Sequence, residues 1–498
     1  MATRKQTRTA EETVGADATA TSKMVAVWED DPGDPKLQPP LSTITVKASN
    51  QAAQPLPFKI KGTAPSPKIY QPGTPQFRFY AAADALRRTA DFWGAILPPK
   101  TTWQVGKTLP VVLDDGVDLN AFYTRGGSGD APGLHFFHDT VAGRTYFSGE
   151  SPDVVCHEMG HAVLDAIRPE LFDVQSIEAA AFHESFGDMS AILSALQVPS
   201  FRPLVFTETQ GGINRASRLS RLAEQLGAAI RMHHPDAVDP DCLRNAANSF
   251  FYRDPQTLPP SAPASQLSSE PHSFSRVFTA AFLDALAGIL KLQSTSAKAD
   301  DLLKASQDAG RLLAAGVLAA PVVPDYYSQV AAHMIEAGNG SPFNGKYRDV
   351  LKSAFVRRGI LSLQAAATIA NVKAESQRRA TIIGTKKGEA GQLPLATISG
   401  AAYGLRTATL RVHTAEEPKR FAVTSSSLTL GSVEPRSPHS AAEAYTEDLF
   451  QRGHVDVSSH AHPEAGLIHP LAIKTHIIVE EGKELVLKRR TFDCGFHS

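Results

Sequence analysis

Two helix-length segments constrain this chain more than anything else in it. PDVVCHEMGHAVLDAI (152–167) and IEAAAFHESFGDMSAILSAL (177–196) are apolar on nearly every face, yet each carries ionisable residues one turn apart. A helix that is apolar all round belongs in a core, and imidazoles and carboxylates buried with it are costly unless partnered. Positions i and i+4 share a helix face. His157 and His161 therefore converge from the first segment, and Glu184 and Asp188 from the second. A metal ion is the partner that satisfies such a set. Two histidines and one carboxylate make a catalytic zinc site whose fourth position stays open for water. Glu158, turned by about 100° from His157, falls close to that water and is the candidate general base. Asp188, one turn past Glu184, is placed to accept the free ring N–H of a ligand histidine and fix its tautomer. Cobalt or manganese can occupy the same ligands, but ligand type favours zinc, as one ion.

The surroundings read as α+β. FRFYAAADALRRTADFWGAIL brings Phe79, Ala83, Leu86, Ala90 and Phe92/Trp93 near one face at helical spacing until Pro98-Pro99 stops it. LPVVLDD, LNAFYTRG, LHFFHD and RTYFSG are short β-rich runs separated by Gly and Asp turns. From Pro152 to about Leu363 the pattern is helical. A β-rich half leading into a helical half leaves a cleft where they meet. Residues 1–72, rich in Thr, Ala, Pro and Gly, read as largely disordered, with a short strand allowed at STITVKA. The ordered domain then spans 73–365, and 366–390 reads as a linker. Residues 391–498 read as a small β-rich appendage, with strand-like TATLRVHT and RFAVTSSSLTL and a closing hairpin, THIIVEEGKELVLKRRTF, turned at Glu481-Gly482.

HExxH followed by a helix bearing E-x-x-x-D resembles the gluzincin metallopeptidases, the thermolysin-like family in particular. The likeness extends to LNAFYTRG, similar to the family's edge strand, and to Leu243-Arg244-Asn245 with Tyr252 and Asp254-Pro255. It also extends to PHSFSRVFTAAF and to the closing KSAFVRRGIL, and so covers about 75–363. The resemblance implies a two-lobed peptidase, with a β-rich N-lobe, a helical C-lobe and zinc between them. It implies that Asn120 and Ala121 hold substrate backbone, that Arg244 grips a substrate carbonyl, and that His272 hydrogen-bonds the oxyanion. Val154 and Leu243 match positions lining the pocket for a hydrophobic residue after the scissile bond. Glu158 would act as base and then as proton donor to the leaving amine. The departures are specific. Phe172 stands where the family has an auxiliary tyrosine, and Pro169–Ile177 makes a longer inter-helix loop. Glu270 is the nearest substitute for the acid that orients the oxyanion histidine. Asp153 matches one calcium ligand, but MSAILSALQVPS carries no acidic residue, so the family's double calcium site is not expected.

With a formal net charge of −1, no global field favours nucleic acid or an anionic membrane. No apolar run of about 18 residues suggests a membrane span, and no apolar stretch follows Arg4, Lys5 and Arg8 to make a secretory signal. A cytoplasmic or non-classically exported protein is the resulting expectation, with a protein or peptide as its substrate. Cys156, Cys242 and Cys494 are too scattered for a disulfide framework or a Cys-rich metal site. Cys156 reads as core, His135 and His138 as strand-edge or solvent residues, and the histidines of HVDVSSHAHPEAGLIHP as an exposed loop. Two alternatives stand beside an endopeptidase. One is a peptidase restricted to one partner or to short peptides, with the C-terminal region gating access. The other is a zinc-bearing pseudo-peptidase or binding module, in which Phe172 marks lost chemistry.

Overall fold

The computed structural model describes residues 23–33, 41–127, 129–294, 296–363, 365, 393–418, 436–457, 460–462 and 473–495. The chain opens with the antiparallel pair β1 (Met24–Trp28) and β2 (Leu41–Thr45), then β3 (Phe58–Ile60) and α1 (Pro75–Gly94). Thr74 starts α1 by accepting from the Phe77 amide at 3.2 Å, and Pro75 presets its first turn. β4 (Leu109–Val112), β5 (Ala121–Thr124) and β6 (Gly133–Phe136) follow, then the hairpin of β7 (His138–Val141) and β8 (Arg144–Phe147). Ser151 caps α2 (Pro152–Ile167), again with proline in the first turn. α3 (Glu170–Asp173) occupies the loop leading to α4 (Ile177–Ala195). Next come α5 (Phe201–Thr209), β9 (Arg221–Leu222), α6 (Glu224–Arg231), β10 (Arg244–Asn245) and α7 (Pro271–Lys291). The helical run ends with α8 (Ala299–Ala319), α9 (Tyr326–Asn339) and α10 (Arg348–Arg357). Beyond it lie β11 (Leu395–Ser399), β12 (Thr409–His413), α11 (Pro438–Gln451) and β13 (Val455–Asp456), then β14 (His476–Glu481), β15 (Glu484–Arg489) and β16 (Thr491–Asp493).

The fold is α+β, as the sequence pattern implies. One mixed sheet runs β16-β5-β6-β4-β3 and a second runs β11-β12-β15-β14-β13. A single apolar cluster continues from Val25 through the helices to Phe492. Helix α7 is the one described helix long and apolar enough to cross a membrane, and it is mostly buried inside the protein.

Three expectations need correction. The first 72 residues are not largely without structure: residues 23–33 and 41–72 are placed, and β1 buries Val25 and Val27 beneath its hairpin with β2. Polar and Pro-rich composition hid β1, while β2 overlaps the short strand allowed at STITVKA. Asp31 then anchors this segment, accepting from the Gly33 and Gln225 amides at 2.8 Å and from the Ser151 hydroxyl. Second, the C-terminal region is no appendage. β16 leaves the second sheet and joins the first, pairing antiparallel with β5. It also contains α11, which its polar sequence did not announce. Third, the closing hairpin turns one residue later, at Gly482-Lys483, with Glu481 opposite Glu484 and Gly482 taking the positive φ (67°) of the first turn position. Residues 1–22, the linker 366–390 and the strand expected at RFAVTSSSLTL lie outside the described residues.

Helices α2 and α4 approach closely because glycines face each other at their crossing. A Cβ on Gly160 would meet Ser190 Oγ at 2.8 Å and Gly187 Cα at 2.9 Å. That approach is what brings the two ionisable edges together.

Glu150, just before α2, shows the cost of burial in the same region. It accepts from the Gly73 amide at 3.1 Å and lies 3.6 Å from the Arg78 guanidinium. Burial nevertheless pushes its carboxyl up to about 7, against the pull of Arg78. A carboxyl raised in the folded state contributes stability that is full below its ordinary value near 4.5 and is lost as pH rises through 7. Chemical denaturation between these limits should therefore show the wild type losing roughly 2 kcal/mol that Glu150→Gln does not lose. Parallel slopes for the two proteins would refute this.

Candidate metal centre

The centre is built on α2. His157 and His161 project from it one turn apart, both buried, with their Nε2 atoms 3.1 Å apart. Glu184 comes from α4, its Oε2 3.3 Å from His157 Nε2 and its Oε1 3.7 Å from His161 Nε2. The fourth member was not foreseen. Cys494, in the residue after β16, places Sγ 3.2 Å from His157 Nε2, 3.4 Å from His161 Nε2 and 3.7 Å from Glu184 Oε2. The four side chains form a buried group with ligand atoms within 4.8 Å of one another. Tetrahedral zinc, with nitrogen at about 2.0–2.1 Å and sulfur at about 2.3 Å, sets its ligand atoms roughly 3.3–3.6 Å apart. The separations found here match the edges of such a tetrahedron, so the donors fit a metal ion. The expected open corner is instead filled by Cys494. Nothing in the local sequence relates that cysteine to the others, 310 or more residues away. Only strand pairing brings it in.

The electrostatics also call for a cation. Burial opposes protonation of His157, yet Asp188 and Glu184 raise it to about 9. Burial, with His157 and His272 nearby, lowers His161 to about 3. Glu184 is held well below the usual carboxylate range despite its burial, through His272, His161 and His157. Two imidazole nitrogens thus face one buried carboxylate, an arrangement that a divalent ion would satisfy. Glu158 is fully buried beside them, and neither of its oxygens has a hydrogen-bond partner of good geometry. Burial pushes it up to about 8, against the pull of His157 and the Cys494 thiol.

Each ligand histidine is oriented from behind. Asp188 Oδ1 lies 3.0 Å from His157 Nδ1 and also accepts from Arg244 at 2.8 Å. Asp188 thus stands where the sequence places it. Asp188→Asn removes the charge that both neighbours share and should weaken metal binding by about 10–100-fold, measured by chelator competition. Unchanged affinity would show that Asp188 does not orient His157. Behind His161 stands His183, a residue that sequence reasoning did not assign: its Nδ1 is 3.3 Å from His161 Nδ1, and Phe492 stacks on its ring at 3.8 Å. Its signal was its place one residue before Glu184, on the same buried helix.

The other candidates fall around a groove of about 820 Å³ lined by Glu184, Leu243, Arg244, His272 and Cys494, among others. His272 Nε2 lies 3.2 Å from Glu184 Oε2, and its Nδ1 lies 2.7 Å from Glu270, the substitute acid the sequence suggested. Glu270 also caps α7 through the Ser273 amide at 2.8 Å. Asn120 and Ala121 are beside the centre but engaged: Asn120 Nδ2 donates to Asp493 at 3.3 Å, and Ala121 O accepts from the Cys494 amide at 3.0 Å. Val154 is not on this groove. It lines a separate small pocket with Asn120, Ser151 and Leu226. Asp153 accepts from the Ala223 amide at 3.1 Å. Phe172 packs edge-on against Tyr123 and Phe492, with ring centroids 6.1 and 5.5 Å away. His135, expected at an edge, is buried between Asp115 (2.7 Å) and the Ala131 carbonyl (2.8 Å), because β6 lies inside its sheet. His138 remains half-exposed beside Asp114.

No protein-family model matches this chain, and no curated protein matches it.

Proposed function

We propose that this chain is a zinc-dependent peptidase of the thermolysin-like kind, two-lobed, with protein or peptide substrates. The observation that carries this reading is the donor cluster of His157, His161, Glu184 and Cys494, with Glu158 buried against the Cys494 thiol at its side. Zinc, when bound, would lower the pKa of a water to about 7 and polarise the scissile carbonyl. Glu158 takes the proton from the attacking water and returns it to the leaving amine. His272, steadied by Glu270, donates to the oxygen on which negative charge develops. Arg244, held by Asp188, presents its guanidinium to a substrate carbonyl. Leu243 offers an apolar wall for the residue after the scissile bond.

A second reading is favoured by one observation. Four protein ligands make a closed site, the form that structural zinc takes. On that reading the chain is a zinc-bearing binding module. Against it stands Glu158, since a closed structural site gains nothing from a further carboxylate buried at its side. The test frees the corner: Cys494→Ser, loaded with zinc, is incubated with a mixture of labelled peptides and the products are mapped by mass spectrometry. One zinc per chain and cleavage before apolar residues is the expected result. One zinc per chain with no cleavage of any peptide would leave the binding module.

A further inference from the structure

We propose that residues 489–495 form a built-in inhibitor, a pseudosubstrate strand that lies along β5 and closes the metal's fourth corner with the Cys494 thiolate. The inference rests on the peptidase reading and adds how that activity is held in check. Three independent features support it.

The first is position. β16 pairs antiparallel with β5 in the register Thr491↔Thr124, Phe492↔Tyr123 and Asp493↔Phe122. Cys494 extends the pairing through its amide to Ala121 O at 3.0 Å, and Asp493 takes the Asn120 side chain at 3.3 Å. These are the two residues to which the thermolysin-like resemblance assigns substrate backbone. A peptide and the tail cannot occupy that edge together.

The second is the ligand. The cysteine sulfur is the donor that completes the cluster, within 3.2–3.7 Å of the other three ligand atoms. It stands in the one coordination position that a water must hold for hydrolysis. Thiolate is a strong zinc donor, bound at about 2.3 Å.

The third is how the strand is held. Its anchors are polar and sit at its start. Arg490 pairs with Asp130 (2.9 Å), Thr124 Oγ1 donates to Arg490 O (2.7 Å), and Arg489 Nε donates to Phe172 O (3.0 Å). Phe492 is the apolar peg, stacked on His183 at 3.8 Å. The tail is thus a short strand on a sheet edge, joined to the second sheet through β15. Removing it opens a ready-made strand-binding edge. Phe172 also gains a reason: it packs against Phe492, a contact to which a tyrosine hydroxyl would add nothing apolar.

Release is a ligand exchange without redox change. With a metal bound, the Cys494 sulfur would give up its coordination position and take a proton from solvent, leaving that position to a water. If the closed form holds about 99% of molecules, opening it raises the rate roughly 100-fold.

The test uses the full chain with cobalt and with zinc. Cobalt-loaded wild type should show the near-ultraviolet thiolate-to-cobalt absorption. Cys494→Ser should keep one metal per chain and lose that band. Zinc-loaded Cys494→Ser should cleave a labelled peptide about 100-fold faster than wild type. Arg490→Glu, which sets a carboxylate against Asp130 and leaves the thiol intact, should raise both cleavage and the rate at which Cys494 reacts with a thiol label. It guards against a folding failure of the first variant. Absence of the band in wild type overturns the inhibitor. So does equal cleavage by wild type and Cys494→Ser, an outcome that leaves the peptidase reading standing. Metal bound, band present and no cleavage by either variant overturns both, and leaves a closed structural site.

Discussion

Gly187→Ala is expected to abolish metal binding at the proposed centre. The added Cβ would lie 2.6 Å from both Cε1 and Nδ1 of the His157 ring and 2.7 Å from Nε2. No Cβ sits that close to a ring, so either His157 turns away or α2 and α4 separate. Neither is easy. The two helices are buried along nearly their whole facing length, and Gly160 already touches Ser190 and Gly187. Overpacking of this kind costs about 1–3 kcal/mol in stability. The larger loss falls on the site, since turning His157 removes one ligand and its contact with Asp188 together. Metal affinity should fall by about 100-fold or more, beyond what loss of the orienting Asp188 alone would cause. Gly338→Ala is the control. It too is inside a helix, but its Cβ meets only Leu351 Cδ1 at 3.3 Å and Leu312 Cδ2 at 3.7 Å. There the helix preference for alanine, up to about 1 kcal/mol, should offset any crowding. Chelator competition and thermal melts on both variants measure the contrast. Equal metal affinity in the two would show that α2 and α4 part without moving His157.

The second large effect concerns chemistry rather than assembly. In the Cys494→Ser background, Glu158→Gln should abolish peptide cleavage, by about 10³–10⁴-fold, while leaving metal binding and fold intact. Glutamine has nearly the same shape and cannot accept the water's proton. Its amide also removes a buried carboxyl that is pushed up by desolvation, so the variant should melt no lower than its parent. A fall in metal content would show that Glu158 helps hold the ion. Undiminished cleavage would mean that another group takes the proton.

Much of this site is legible in local sequence because helical spacing is local. A four-residue step fixes His157 beside His161 and Glu184 beside Asp188 whatever surrounds them. The apolar flanks say that both edges are buried, and burial of such groups calls for a partner. Glu270 two residues before His272 is likewise a short-range relation, and the structure keeps it at 2.7 Å. Strand β1 was missed for the opposite reason. β1 and β2 are five residues each, and what stabilises them is burial of Val25 and Val27 in the common core, which no local pattern announces.

The sequence alone determined the two helices of the site and which of their ionisable side chains share a face, since these follow from residue type and helical period. Tertiary structure alone decided the rest. Close approach at Gly160 and Gly187 set the two pairs on a common point. A three-residue strand from the far end of the chain then carried Cys494 into the fourth corner. Strand pairing joins residues through hydrogen bonds between main-chain N–H and C=O groups, largely whatever the side chains, so it leaves no spacing or motif to be read. That is why the ligand that closes the site was the one the sequence could not disclose.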